Sequence, residues 1–274
     1  MSLESQIAAL VSAANSLTSQ VAGKMAQIDQ KVNQATASVP GTLRDLSGKR
    51  YHIDNEVGDD SNDGSAARPL RSAEEAAKRA IPGAYVELYF KGGQDHIVRF
   101  RQRCGVRVVG WENDTRGKPR LHPAGYDFSN DTTQKILQGF VDVGPYIVFS
   151  GVDLHCDDAG YNPNGSQSVN TFYSAMVFGD ASIKIFMNNV DIRLDHVSLT
   201  SNWAGYSQRD LSMNNTTIQR AAASGARLLR DRSGSTSTLR LACNSVTLLE
   251  GITWPDLIPI YNNGSNVLSN IAIQ

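Results

Sequence analysis

The chain is poor in the residues that mark several common chemistries. Three cysteines in 274 residues, Cys104, Cys156 and Cys243, form no CxxC pair and leave an odd count. Neither a disulfide framework nor a zinc knuckle is expected, and no metal or cofactor is read from the sequence. A basic excess is also missing: Lys plus Arg is 26 and Asp plus Glu is 27. A general nucleic-acid partner is therefore excluded, because phosphate neutralisation needs surplus positive charge. No apolar run approaches the ~18 residues of a membrane span, so no membrane insertion is expected. The start MSLESQ lacks the basic-then-apolar layout of a signal peptide, which predicts synthesis in the cytoplasm without a leader. Helix-forming composition is scarce beyond the first forty residues and one short later stretch. What is abundant instead is Asn, Ser, Thr, Gly and Val, a mixture that favours strands separated by many turns. Apolar residues at 41% are enough to build an ordered core.

The first forty residues carry a regular seam. Leu3, Ile7, Leu10, Ala14, Leu17, Val21, Met25, Ile28, Val32, Ala35 and Val39 follow one another in steps of three and four residues, with one stutter between Val21 and Met25. This narrow stripe predicts an N-terminal α-helical coiled coil, since a helix packed on a globular body shows a wider apolar face. The rod would span about 55 Å and end at Pro40-Gly41. Such a seam predicts oligomerisation. The early positions fit two strands and Ile28 leans toward three, so residue preference leaves the number open.

Residues 41–84 read as a linker and cap. Tyr51-His52-Ile53-Asp54 alternates like a short strand, and Gly58-Asp-Asp-Ser-Asn-Asp-Gly64 is a dense turn. Asp59, Ser61 and Asp63 imitate the start of a calcium loop, but the twelfth position is Leu70 where a bidentate Glu is required. A turn bonded by its own side chains is the preferred reading. Ser72-Ala-Glu-Glu75 has capping-box spacing and opens a helix over 72–80. Tyr85–Phe90 reads as a buried strand.

Residues 85–274 hold the most informative pattern. An eight-residue motif recurs at Ile147–Leu154, Ile185–Ile192, Leu211–Ile218, Leu241–Leu248 and Asn266–Ile273. Positions one, three, six and eight are mostly apolar, and positions four and five are Asn, Ser or Gly. Alternation turns one and three inward, and six and eight inward after a change of phase, so the chain must bend between them. Asn and Gly tolerate the left-handed backbone such a corner needs. Copies recur every 25 to 38 residues, the spacing of stacked coils, with Cys156–Thr171 as an insertion. Phe149, Met187, Met213, Cys243 and Leu268 would form an inward column, and Ser150, Asn188, Asn214 and Asn244 a corner ladder. An earlier copy is read at Val106-Arg-Val108. A sandwich of alternating strands is the competing arrangement.

The turn-rich segment before Arg68-Pro-Leu-Arg-Ser72, the Ala-rich helix and the stacked motif resemble the entry and coils of right-handed parallel β-helix domains of the pectin-lyase-like type. Joined to the N-terminal seam, the layout resembles a tailed-bacteriophage tail fibre or tailspike. The resemblance implies a homotrimer in the virion, attached to other tail or baseplate proteins through its N-terminal end and meeting host-surface glycan. The expected function is host attachment without catalysis.

Two alternatives stand beside it. Some tailspikes of this type cleave the polysaccharide they bind. Asp153 and Asp191 share the outward seventh position, about 4.8 Å apart if their strands are neighbours. That spacing suits paired carboxylates of a glycosidase. Asp157, Asp158, Asp195 and His196 follow nearby, and His196 could carry a proton. Against this, the seventh position becomes Thr217, Thr247 and Ala272 later on, as in an ordinary solvated column. The other alternative is a connector that docks a further tail protein. For sugar contact, Trp203 and Tyr206 in one loop and Tyr161 and Asn162 in another supply aromatic and amide groups. Arg99, Arg101, Arg103 and Arg107 are expected on one strand face as a partner surface.

Overall fold

The computed structural model describes residues 2–111, 116–127, 134–159, 168–179, 182–202, 208–221, 225–231 and 238–273, with the backbone alone at residues 40–47, 202 and 262. The chain divides into two compact units, residues 1–47 and 48–274.

The first unit is one helix, α1 (Leu3–Ser47). It continues past Pro40, where the sequence predicts its end. A proline deletes one hydrogen bond and can be carried at a kink without ending the helix. The seam residues Leu3, Ile7, Leu10, Leu17, Val21, Met25, Ile28 and Val32 are all exposed, between 50% and 73%.

The second unit opens with β1 (Gly48–Ile53) and a cap. In the acidic turn, the Asp59 and Asp63 carboxylates accept from the backbone N–H of Ser61 and Ser65, and Asp60 accepts from those of Arg71 and Ser72. These are the bonds of a side-chain-closed turn. Helix α2 (Ala73–Arg79) follows, with Ser72 as its N-cap accepting from Glu75 N. Its Ala73, Ala76 and Ala77 are buried, because only small side chains fit that close.

Sixteen more strands follow among the described residues. They are β2 (Tyr85–Phe90), β3 (Asp95–Val98), β4 (Phe100–Arg101), β5 (Gly105–Gly110), β6 (Arg120–Asp127), β7 (Gln134–Val141), β8 (Tyr146–Ser150) and β9 (Asp153–Cys156). Then come β10 (Ser168–Val169), β11 (Ala175–Phe178), β12 (Ile183–Leu194), β13 (Ser198–Asn202), β14 (Gln208–Arg220), β15 (Leu229–Asp231), β16 (Thr238–Leu248) and β17 (Val267–Ser269). A short helix, α3 (Trp254–Leu257), precedes β17.

Strands distant in sequence pair side by side in parallel. One row runs β1, β2, β5, β8, β12, β14, β16, and it aligns Tyr51, Leu88, Val108, Phe149, Met187, Met213 and Cys243. A second row through β3, β6 and β9 joins the later half of β12, aligning His96, Leu121, Leu154 and Ile192. A third, through β4, β7, β11, β13 and β15, aligns Phe140, Val177, Thr200 and Leu229. The inward apolar residues of all three form one core, with His96 and Thr200 as buried polar members of the rows. Leu268 does not join the Met213–Cys243 column: it pairs with Arg240 and is 69% exposed, because β17 enters the row three residues out of register with the motif, an odd shift that turns its side chains to the other face.

The fold class differs from the expected right-handed parallel β-helix behind a homotrimeric coiled coil. The protein is mainly β, with a 17-stranded sheet among the described residues that is mixed, and a single long N-terminal helix. The sheet is mixed because β6 runs beyond its row and pairs antiparallel with β7, Ala124 opposite Gln138 through Asp127 opposite Lys135. An Asp127–Lys135 ion pair closes this excursion, and Tyr126 lies under the Arg99 guanidinium at 4.1 Å. The α1 seam meets one requirement for winding, a continuous apolar stripe, but winding needs a second helix, and this chain contributes one.

The corner residues have the backbone the motif demands. Gly151, Asn189, Asn215 and Ser245 all have φ between 48° and 63°. Beside them Ser150, Asn188, Asn214 and Asn244 are in register. Asn244 Nδ2 donates to Asn214 Oδ1 at 2.7 Å, and Asn214 Nδ2 to Asn188 Oδ1 at 2.6 Å. The corner at Asn215 makes a stability prediction. Asn215→Val should cost about 1–2 kcal/mol in urea denaturation, since a β-branched residue is strained at positive φ, whereas Asn215→Gly should change stability by less than about 0.5 kcal/mol. Equal effects of the two would show that the corner backbone carries no such requirement.

Candidate functional site

The outward side of the second row carries a continuous network of closely interacting ionisable groups. Register fixes their order. Asp95, Arg120, Asp153, Asp191 and Thr217 stand side by side on β3, β6, β9, β12 and β14. Two residues further along each strand, on the same face, are Ile97, His122, His155 and Arg193. Asp157 and Asp195 follow at the bends after β9 and β12.

His122 is the centre of this face and is almost wholly buried. Its Nδ1 lies 2.8 Å from Asp157 Oδ1 and its Nε2 lies 3.0 Å from Asp95 Oδ1. Ionised carboxylates only accept, so with Asp95 and Asp157 both ionised both ring nitrogens donate, the pattern of an imidazolium. Burial pushes its pKa down, but the hydrogen bonds and charges of Asp157 and Asp95 outweigh that and leave it raised. Asp95 is gripped in turn by Arg120, whose Nε and Nη2 each donate at 2.6 Å. That bidentate bond, more than any other contact, holds Asp95 well below the usual carboxylate range. Burial pushes Asp157 up, yet the His122 bond wins and leaves it lowered. His155 packs edge-on against His122, with ring centroids 5.0 Å apart. Burial, reinforced by the His122 charge, lowers its pKa, so it is a neutral imidazole at pH 7. Of the described residues, His122, His155 and Asp157 could hold a metal: their ligand atoms lie within 4.8 Å of one another.

Asp153 and Asp191, expected as neighbours, are direct register partners. Lys118 Nζ reaches both, at 3.6 Å from Asp153 and 2.8 Å from Asp191. Their environments split them. Burial raises the pKa of Asp153, with Lys118 opposing and Asp191 adding to the rise. Burial also pushes Asp191 up, but hydrogen bonds from Lys118 and Thr217 outweigh it and leave Asp191 lowered. Asp195 and His196 are not part of this pair. Asp195 accepts from Arg193 Nε at 2.7 Å, and His196 lies 3.8 Å from Asp158. Both line an open cleft with Arg193, Arg230 and Thr171.

The sugar-contact candidates Trp203, Tyr206, Tyr161 and Asn162 lie outside the described residues. The basic run is not one face. The chain turns between β4 and β5, so Arg107 faces out from the first row with Glu87 at 3.2 Å, while Arg99 and Arg101 pair with Glu74 and Asp142. Cys243, expected in the core, is half-buried and packs against it, its thiol pushed up to about 11 by burial. The His122 cluster itself is missed by sequence reading. His122 and Asp95 lie far from the motif copies, and the one local sign is the i, i+2 pair His155 and Asp157 at the end of β9.

No family model and no curated protein matches the chain. Among solved structures, it is similar to a GH136 lacto-N-biosidase from Eubacterium ramulus. The selenomethionine derivative aligns with 12% identity and a TM-score of 0.46 over 73% of this chain. The native protein aligns with 14% identity and a TM-score of 0.44 over 77%. The chain spans about two fifths of the length of those proteins, 41% and 42%.

The split between Asp153 and Asp191 predicts opposite mutational signs. Asp153 has a folded pKa above its unfolded one. Its contribution is therefore most favourable below the unfolded value of 3.8 and is lost as pH rises through the folded value. Asp153→Asn should leave the melting temperature at pH 7 unchanged or higher. Asp191→Asn should lower it, because the depressed carboxylate contributes above pH 3.8. Melting both variants at pH 7 and near pH 3 checks this; a lower melting temperature for Asp153→Asn at pH 7 contradicts it.

Proposed function

We propose that this protein is a non-catalytic attachment protein of a phage tail. In this reading copies of the chain associate through the α1 seam, the N-terminal end docks to other tail proteins in the virion, and the β unit meets host-surface glycan. The observation that carries the self-association is the exposure of eight seam side chains on one stripe of α1. Each large apolar side chain left in water forgoes about 1.5–3 kcal/mol of burial, and the seam of another copy is its matched cover. The phage and glycan parts rest on the sequence layout: the seam, the turn-rich cap and the stacked motif. The loops bearing Trp203, Tyr206, Tyr161 and Asn162 are the proposed sugar contacts.

A second reading draws on one geometric fact. Asp153 and Asp191 are adjacent carboxylates whose pKa values are pushed apart, the condition for dividing acid and base roles in glycoside cleavage. Lys118 occupies the space between them, which favours the binding reading.

Light scattering of the full chain should give a mass two or more times that of the 29.7 kDa chain. Leu10→Asp with Leu17→Asp should raise the dissociation constant at least about a hundredfold while thermal unfolding of the β unit is retained. A chain that stays monomeric at tens of micromolar removes the association. Binding of the oligomer to an array of bacterial surface polysaccharides, without release of reducing ends, is the expected outcome of the second assay. Reducing ends that vanish in Asp153→Asn or Asp191→Asn would install the enzymatic reading instead.

A further inference from the structure

We propose that His122, His155 and Asp157 form a binding site for one divalent transition-metal ion of the zinc type, with Asp95 as the outer carboxylate that orients His122. The placement follows from strand register. Leu121 pairs with Leu154, so His122 and His155 are lateral neighbours on β6 and β9. Asp157, two residues after His155, returns to the same face at the strand end. The candidate ligand atoms of the three side chains already lie within 4.8 Å of one another. Around a tetrahedral ion with bonds of about 2.0–2.1 Å, ligand atoms sit roughly 3.3 Å apart, so side-chain rotation of an ångström or so completes the site.

The donor set selects the ion. Two imidazole nitrogens and one carboxylate oxygen suit Zn²⁺ and its neighbours Co²⁺ and Ni²⁺, whereas Ca²⁺ and Mg²⁺ take oxygen shells. Three protein ligands leave a fourth position for water. The surroundings are those of a supported ligand. Metal-bound histidines commonly donate their second N–H to a carboxylate, and His122 Nε2 already does so to Asp95 at 3.0 Å. Asp95 is itself fixed by the two Arg120 bonds. The nearby cations are neutralised locally, Arg120 by Asp95 and Arg193 by Asp195. On binding, the ion takes the Nδ1 lone pair of His122, and the proton that bridged Nδ1 to Asp157 leaves to solvent. One proton is released per ion bound and no electron is transferred. Asp157 exchanges its hydrogen bond for a metal bond.

The test uses the full chain without an affinity tag, treated with chelator and then titrated with Co²⁺. The expected result is one equivalent bound, a visible ligand-field spectrum of tetrahedral intensity, and displacement by one equivalent of Zn²⁺. His155→Ala and Asp157→Asn should each weaken Co²⁺ binding at least about tenfold. Asp95→Asn should weaken it about tenfold or more through the outer shell alone. His196→Ala, away from the cluster, should leave it unchanged. Should His155→Ala lose its circular dichroism spectrum, His155→Cys decides: a retained site adds a sulfur-to-cobalt charge-transfer band in the near ultraviolet. No spectrum from the folded wild-type protein at millimolar Co²⁺, or one equivalent that survives His155→Ala or gains no such band in His155→Cys, overturns the proposal.

Discussion

The β unit depends on a corner that keeps its place from one strand to the next. Gly151, Asn189, Asn215 and Ser245 each turn the chain through the left-handed region at the same point of the row. A strand that slips by one residue would turn its apolar side chains outward and put a corner where its neighbour is straight. The hydrogen bonds from Asn244 to Asn214 to Asn188 add a polar check on the same register. They are solvent-exposed, so each contributes modestly to stability, on the order of 1 kcal/mol or less. Their effect lies in specifying which strand pairing is chosen.

Once register is fixed, the outward face is fixed with it, and this face concentrates charge. Asp95 at the start of β3, His122 within β6 and Asp157 at the bend after β9 are separated by 27 and 35 residues in sequence, and two hydrogen bonds join them. His122 is buried while Asp95 is exposed, so desolvation at the ring and solvent screening at the carboxylate both limit the net stability this triad adds. A row of packed apolar residues would serve stability equally well. A polar cluster held by Arg120 on its outer side is better understood as preorganised for an ion. The neighbouring Asp153, Asp191 and Lys118 group differs, since the cation there is a lysine already seated between the carboxylates.

The helix poses the reverse problem. Its apolar stripe is regular and uncovered, and nothing in its sequence would compensate for leaving it in water. Charge is sparse along the seam over residues 3–39, only Glu4, Lys24, Asp29 and Lys31, so ion pairs do little to choose a partner or an orientation. In the proposed association, shape and apolar area would govern the contact, and packing at positions such as Ile7, Val21 and Ile28 would set the number of copies.

Local pattern was enough to locate the N-terminal helix, the Ser72-capped helix, the buried strand Tyr85–Phe90 and the Asn corners. Each is encoded within a few residues, by periodicity, by a capping side chain or by tolerance of positive φ. The alignment of Phe149, Met187 and Met213 was legible for the same reason, since copies of one motif repeat one phase. The antiparallel excursion of β6 onto β7 was not, because its pairing joins Ala124–Asp127 to residues whose own pattern names no partner. Nor was the meeting of Asp95, His122, His155 and Asp157: single polar residues on separate strands become neighbours only through register. Sequence spacing is one-dimensional and reports what alternates along a strand. The contacts across strands, which decide the charged face, exist only after the chain has stacked.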